Sequence, residues 1–174
     1  MCKHTLILMC VFLSPFISIN ANANEDCSYD LASAKSPLDV KASSVKQSSA
    51  VKLSKKENTI TQSLSLKDGA TITYKEGGCE HLTRTYVFEL GSIPANPTAN
   101  EALSLAVKLV ASVPITQEEK DSGPSELFSK ALLLAKKKKA KLTNKKINLP
   151  CDGADCTLSL TKEHQLALSW SFQM

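Results

Sequence analysis

The hydrophobic and polar positions fall into two regimes. From Thr59, Ile60, Gln62, Leu64 and Leu66 alternate with Thr59, Thr61, Ser63 and Ser65, the period-two pattern of a strand with one buried face. Asp68-Gly69 supplies a tight turn, and Ala70, Ile72 and Tyr74 continue the alternation on a return strand. Gly77-Gly78 then offers the positive φ values of a sharp corner. Beyond it Tyr86, Phe88 and Leu90 face one way while Thr85, Val87 and Glu89 face the other. These three strands predict an antiparallel meander.

After Ile93 the period changes. Pro94 and Pro97 break the strand, and Thr98 with Glu101 has the spacing of a capping box. A helix follows to about Val113, with Leu103, Ala106, Leu109, Val110 and Val113 on one stripe, and Pro114 ends it. A second helix starts near Pro124 and is expected to bury Leu127, Phe128, Ala131, Leu132 and Ala135. It runs into Lys136, Lys137, Lys138 and Lys139, which cover most of a turn, so that end must project into water. Two more strands close the chain, Thr157 to Thr161 and Leu166 to Phe172, around a turn over Lys162 to Gln165.

The order βββααββ predicts an α+β fold, a five-stranded antiparallel sheet with two helices packed on one face. Residues 58–174 form its single domain. Residues 24–57 are rich in Ser, Ala and Lys and read as a flexible polar arm, in which Val51-Lys52-Leu53 fits an edge strand that would make six. If the apolar face meets the helices, the opposite face carries Thr59, Thr61, Ser63, Thr71, Thr73, Thr85, Ser159, Thr161, Ser169 and Ser171, either a solvated sheet face or a recognition surface.

The first 23 residues change the setting. Lys3 and His4 precede an apolar run from Leu6 to Leu13, and Ala21-Asn22-Ala23 closes the segment, the pattern of a secretory signal peptide cut near Ala23. The run is too short for a transmembrane anchor, so a periplasmic or secreted location is expected. Cys27, Cys79, Cys151 and Cys156 follow the leader, and an even number in an exported chain reads as two disulfides. Of the three pairings allowed, Cys151 with Cys156 is favoured because Asp-Gly-Ala-Asp can fold back between them, which leaves Cys27 with Cys79.

The formal net charge is +4, and of 21 basic residues all but Arg84 are lysine. Arginine is the usual reader of phosphates and base edges, so a nucleic-acid partner is not expected. Candidate chemistry gathers at two places. At the Gly77 corner stand Glu80, His81 and Arg84, which could support acid/base or ligand contacts. Between Lys130 and Lys146 lie eight lysines, among them Lys136, Lys137, Lys138, Lys139 and Lys141, with no acid between Leu127 and Cys151. They suit an anionic glycan or lipid surface or an acidic protein.

Neither an HExxH motif, a GxSxG elbow nor a CxxC pair occurs. Asp152 and Asp155 fall far short of a calcium shell. No cofactor and no metal is expected. The sequence therefore points to a non-catalytic, disulfide-stabilised binding module of the cell envelope, an inhibitor or immunity-type protein that recognises another protein. The alternatives are a binder of anionic envelope components through Lys136 to Lys146, and a hydrolase built on Glu80 and His81.

Overall fold

A computed structural model describes residues 29–91, 96–122, 124–161 and 165–173. Eight strands and three helices occur among them: β1 (Val45–Ser48), β2 (Lys52–Ser54), β3 (Thr59–Leu66), β4 (Thr71–Gly77), β5 (His81–Glu89), α1 (Ala99–Ser112), α2 (Gln117–Ser122), α3 (Pro124–Lys137), β6 (Lys146–Leu149), β7 (Asp155–Leu160) and β8 (Gln165–Gln173). The architecture is α+β with one antiparallel sheet in the order β1-β3-β4-β5-β8-β7-β6, and β2 pairs with the other half of β3. The expected signal peptide and Cys27 fall outside the described residues.

The expected count of five strands, or six, and the order βββααββ are corrected to eight strands, with a third helix. Of the short strands beyond the five, β2 is the expected edge strand shifted by one residue, and β1 and β6 are additional; each has three or four residues. They are held by backbone hydrogen bonds to a longer neighbour, which need no apolar side chains of their own. The helix α2, with sequence QEEKDS, carries no apolar stripe and so gave no periodic signal.

Alternation does what it predicts in the long strands. Ile60, Leu64, Ile72, Tyr74, Tyr86, Phe88, Leu166 and Leu168 are all buried on the face that receives Leu103 and Ala106 of α1 and Phe128, Ala131, Leu132 and Ala135 of α3. Helix α1 begins as its sequence requires. The Thr98 side chain accepts from the Glu101 backbone N–H, and the Glu101 carboxylate accepts from the Thr98 N–H at 2.7 Å. Its C-cap is Val113, directly before Pro114.

The stripe expected on α3 needs one correction. Leu127 is 43 % exposed instead of buried, and Leu133 and Leu134 are exposed with it. The buried positions 128, 131, 132 and 135 already fill the helix face available to the sheet, so Leu127 points away. Cys151 and Cys156 are bridged, with Cα atoms 5.9 Å apart, joining the ends of the β6–β7 connection. Cys79 is also disulfide-bonded, and the predicted partner Cys27 lies outside the described residues.

Candidate functional site

The corner between β4 and β5 is built by its glycines. Gly77 and Gly78 have φ of 149° and 132°, and a Cβ on Gly77 would collide with the Asn58 carbonyl oxygen. Only residues without a side chain let β3 and β5 close on this turn. Asn58 secures it: its Nδ2 donates to the carbonyls of Gly78 and of Tyr29, both at 3.3 Å.

The three candidate residues of this corner separate. Glu80 is exposed in the turn, and His81 is exposed at the start of β5, opposite Gln173. Three residues later the pleat carries Arg84 to the opposite face of the sheet from His81. There Arg84 sits across from Glu76 on β4 and Trp170 on β8. The structure thus keeps Arg84 away from His81 and gives it other partners.

Those partners form a buried polar cluster. Arg84 Nε pairs with Glu76 Oε2, and its Nη1 lies 3.7 Å from Glu119 Oε2 on α2. Its guanidinium carbon stands 5.8 Å from the Trp170 ring centre. The Tyr29 hydroxyl donates to Glu76 Oε1 at 2.8 Å, and the Tyr74 hydroxyl donates to Glu76 Oε2. Glu76 and Glu119 are both buried. Burial opposes the charge on Arg84, but Tyr74, Glu76 and Glu119 outweigh it and hold the guanidinium protonated. Burial, with the nearby carboxylates, drives the phenols of Tyr29, Tyr74 and Tyr86 well above their ordinary range.

This cluster forms the floor of a cleft of about 640 Å³ lined by Tyr29, Lys35, Glu76, Arg84, Glu118 and Glu119, among others. Chemically it is a clasp. Both oxygens of Glu76 are taken by donors, Tyr29 on one and Tyr74 with Arg84 on the other. What the cluster does is tie the Tyr29 segment and α2 to one end of the sheet. Sequence reasoning missed Glu76 although a signal existed: the alternation of Ile72 and Tyr74, carried two residues further, places Glu76 on the buried face opposite Arg84.

The second region is the face of the sheet that the helices leave open. Successive rows read Lys75, Thr85, Ser169, Thr157 and Thr73, Val87, Ala167, Ser159, with Thr83 and Ser171 beside them. Neighbouring hydroxyls pair across the strands: Ser63 with Thr73 at 2.9 Å, Thr83 with Ser171 at 3.0 Å and Thr85 with Ser169 at 3.1 Å. Lys75 lies within this face, between Thr61 and Thr85, while Glu89, Lys146 and Asp155 stand at strand ends. Five long strands at about 4.8 Å spacing and about seven residues of length cover roughly 550 Å² of sheet plane, the order of one side of a standard interface.

The third region is the lysine segment. Lys136, Lys137, Lys138, Lys139 and Lys141 are all exposed at and beyond the end of α3. Positive φ values at Lys139, Asn144 and Lys145 mark the tight turns that follow. Among the described residues no three His, Cys, Asp or Glu side chains group as metal ligands, and no helix is long and apolar enough to cross a membrane. No protein-family model matches the sequence, and neither does any curated protein or solved structure.

Proposed function

We propose that this chain is an exported, non-catalytic binding module that recognises another protein of the cell envelope, in the manner of an inhibitor or immunity protein, through the open face of its sheet. One observation carries the reading: an uncharged patch of that face, from Thr83 and Thr85 across Val87 and Ala167 to Ser169 and Ser171, bordered by Lys75, Glu89 and Asp155. Protein interfaces have this plan, a core depleted in charge inside a polar rim. Small side chains already paired to each other lose little conformational entropy when a partner covers them. The Cys151–Cys156 bridge suits an oxidising compartment.

Lysine-driven binding of an anionic component would use the far side of the molecule, and salt separates the two. Capture from an envelope extract on the immobilised protein should retain one protein through high salt, because a packed interface is screened far less than exposed charges. Thr85→Arg with Ser169→Arg should abolish that capture while the thermal melt stays close to the parent. Capture unchanged by the two arginines would refute the sheet face as the binding site. The hydrolase reading keeps a separate check, since it requires a turnover that His81→Ala removes.

A further inference from the structure

The exposed side of α3 joins two features that the fold leaves unexplained. Leu127, Leu133 and Leu134 are 43 %, 56 % and 39 % exposed, on a helix whose other face is well packed. At 100° per residue Leu127 and Leu134 fall within about 20° of each other, and Lys130 and Lys137 form the adjacent line. Leu133 lies on the other flank of those lysines. Glu126, the one acid of α3, is paired to Lys130 at 2.7 Å. The outer surface of the helix is therefore apolar and cationic together, and it continues into Lys138, Lys139 and Lys141 without an acid as far as Cys151.

The turn after the helix adds a recess of about 440 Å³ lined by Lys141, Thr143, Asn144, Lys146 and Asn148. Its lining offers ammonium, amide and hydroxyl donors and no carboxylate. That donor set suits a phosphate group. A polyanionic glycan would satisfy the lysines but give the three leucines no apolar partner. A bilayer with anionic headgroups satisfies both, because leucine side chains reach the acyl boundary while lysine stems snorkel to the phosphates.

We infer that α3 is a peripheral docking surface for an anionic phospholipid bilayer, lying parallel to the membrane with Leu127, Leu133 and Leu134 entering the interface and the lysines from Lys130 to Lys141 meeting the headgroups. The open sheet face then points away from the membrane. This inference does not rest on the sheet-face reading, and Thr85→Arg with Ser169→Arg should leave lipid binding unchanged.

Co-sedimentation of the full protein with vesicles tests it. Vesicles of phosphatidylcholine with one-third phosphatidylglycerol should bind it, phosphatidylcholine alone should bind it at least tenfold more weakly, and added salt should release it. Each lysine contributes about fivefold near an anionic surface, so changing Lys136, Lys137 and Lys138 to Gln should weaken binding about hundredfold. Half-burying each leucine contributes about as much, so Leu127→Ser, Leu133→Ser and Leu134→Ser together should also cost about hundredfold. All six side chains are exposed, and a parent-like thermal melt checks that each variant is folded. Failure to bind the anionic vesicles overturns the inference. So does a triple-leucine variant that binds like the parent, or leucine-independent binding to dextran sulfate as tight as to vesicles, since either makes the segment a general polyanion binder.

Discussion

Alkali is the sharpest probe of the buried cluster, because all three tyrosines of the chain surround it. Tyr74 is fully buried and Tyr86 is 4 % exposed, and burial, then the neighbouring carboxylates, raises both phenols above the ordinary value. The unfolded chain ionises its tyrosines near pH 10, so above that pH it binds fewer protons than the folded one. Their contribution to stability is therefore intact below about pH 10 and falls as pH rises. One pH unit above the unfolded value costs about 1.4 kcal/mol for each phenol that stays protonated in the fold, so Tyr74 and Tyr86 together cost about 3 kcal/mol at pH 11 and about 5.5 kcal/mol at pH 12. Tyr29, only half-buried, adds less. A domain of ordinary stability, about 5–15 kcal/mol, should then unfold cooperatively in alkali. Phenolate absorbance and far-ultraviolet circular dichroism followed in one titration should change together, with little phenolate before unfolding. Three tyrosines titrating through pH 10 with the dichroism intact would refute the cluster as described.

Other perturbations test its supports. Arg84→Met leaves buried Glu76 and Glu119 without their shared guanidinium and should lower stability by about 3 kcal/mol in urea, with Arg84→Lys between it and the parent; an unchanged midpoint would show that the carboxylates do not need the arginine. Replacing Cys151 and Cys156 by Ser opens a short loop and should cost about 2 kcal/mol by the chain-entropy relation, read as a lower denaturant midpoint. Glu101, held below the usual carboxylate range first by the Thr98 backbone N–H and then by its hydroxyl, stabilises the fold above its unfolded value and loses that effect as pH falls through its depressed folded value. Glu101→Gln should therefore flatten the acid limb of the melting temperature against pH, and an identical limb would count against the capping box. Gly77→Ala should destabilise strongly, because both its φ and the Asn58 carbonyl oppose a side chain.

Where the sequence was legible, one local rule and one long-range demand agreed. Thr98 and Glu101 announced α1, and the alternation through Phe88 announced β5 and its buried face. The short strands were not legible, since Val45–Ser48 and Lys146–Leu149 are strands only because β3 and β7 offer them an edge. Leu127 was misplaced because its spacing to Ala131 fits a helical stripe equally well, and only packing decides which stripe meets the sheet. At the candidate site Arg84 was visible as the single arginine, but its partner Glu119 lies on a helix with no periodic signature. His81 stood beside it in the chain and fell on the opposite face once the pleat was built, while Glu80 stayed in the turn.

The middle of the sheet has a consequence for how the chain acquires its shape. The β5–β8 ladder joins His81 to Gln173 and Glu89 to Gln165, so the central seam closes between segments about 80 residues apart. Such distant pairing carries a large loop-closure cost and folds slowly. Until β8 is present, β5 is an unsatisfied edge with Tyr86 and Phe88 beside it, the kind of surface that associates with other chains. The β3–β4–β5 meander is thus a waiting platform, and the final nine-residue strand is the latch that turns it into a finished domain.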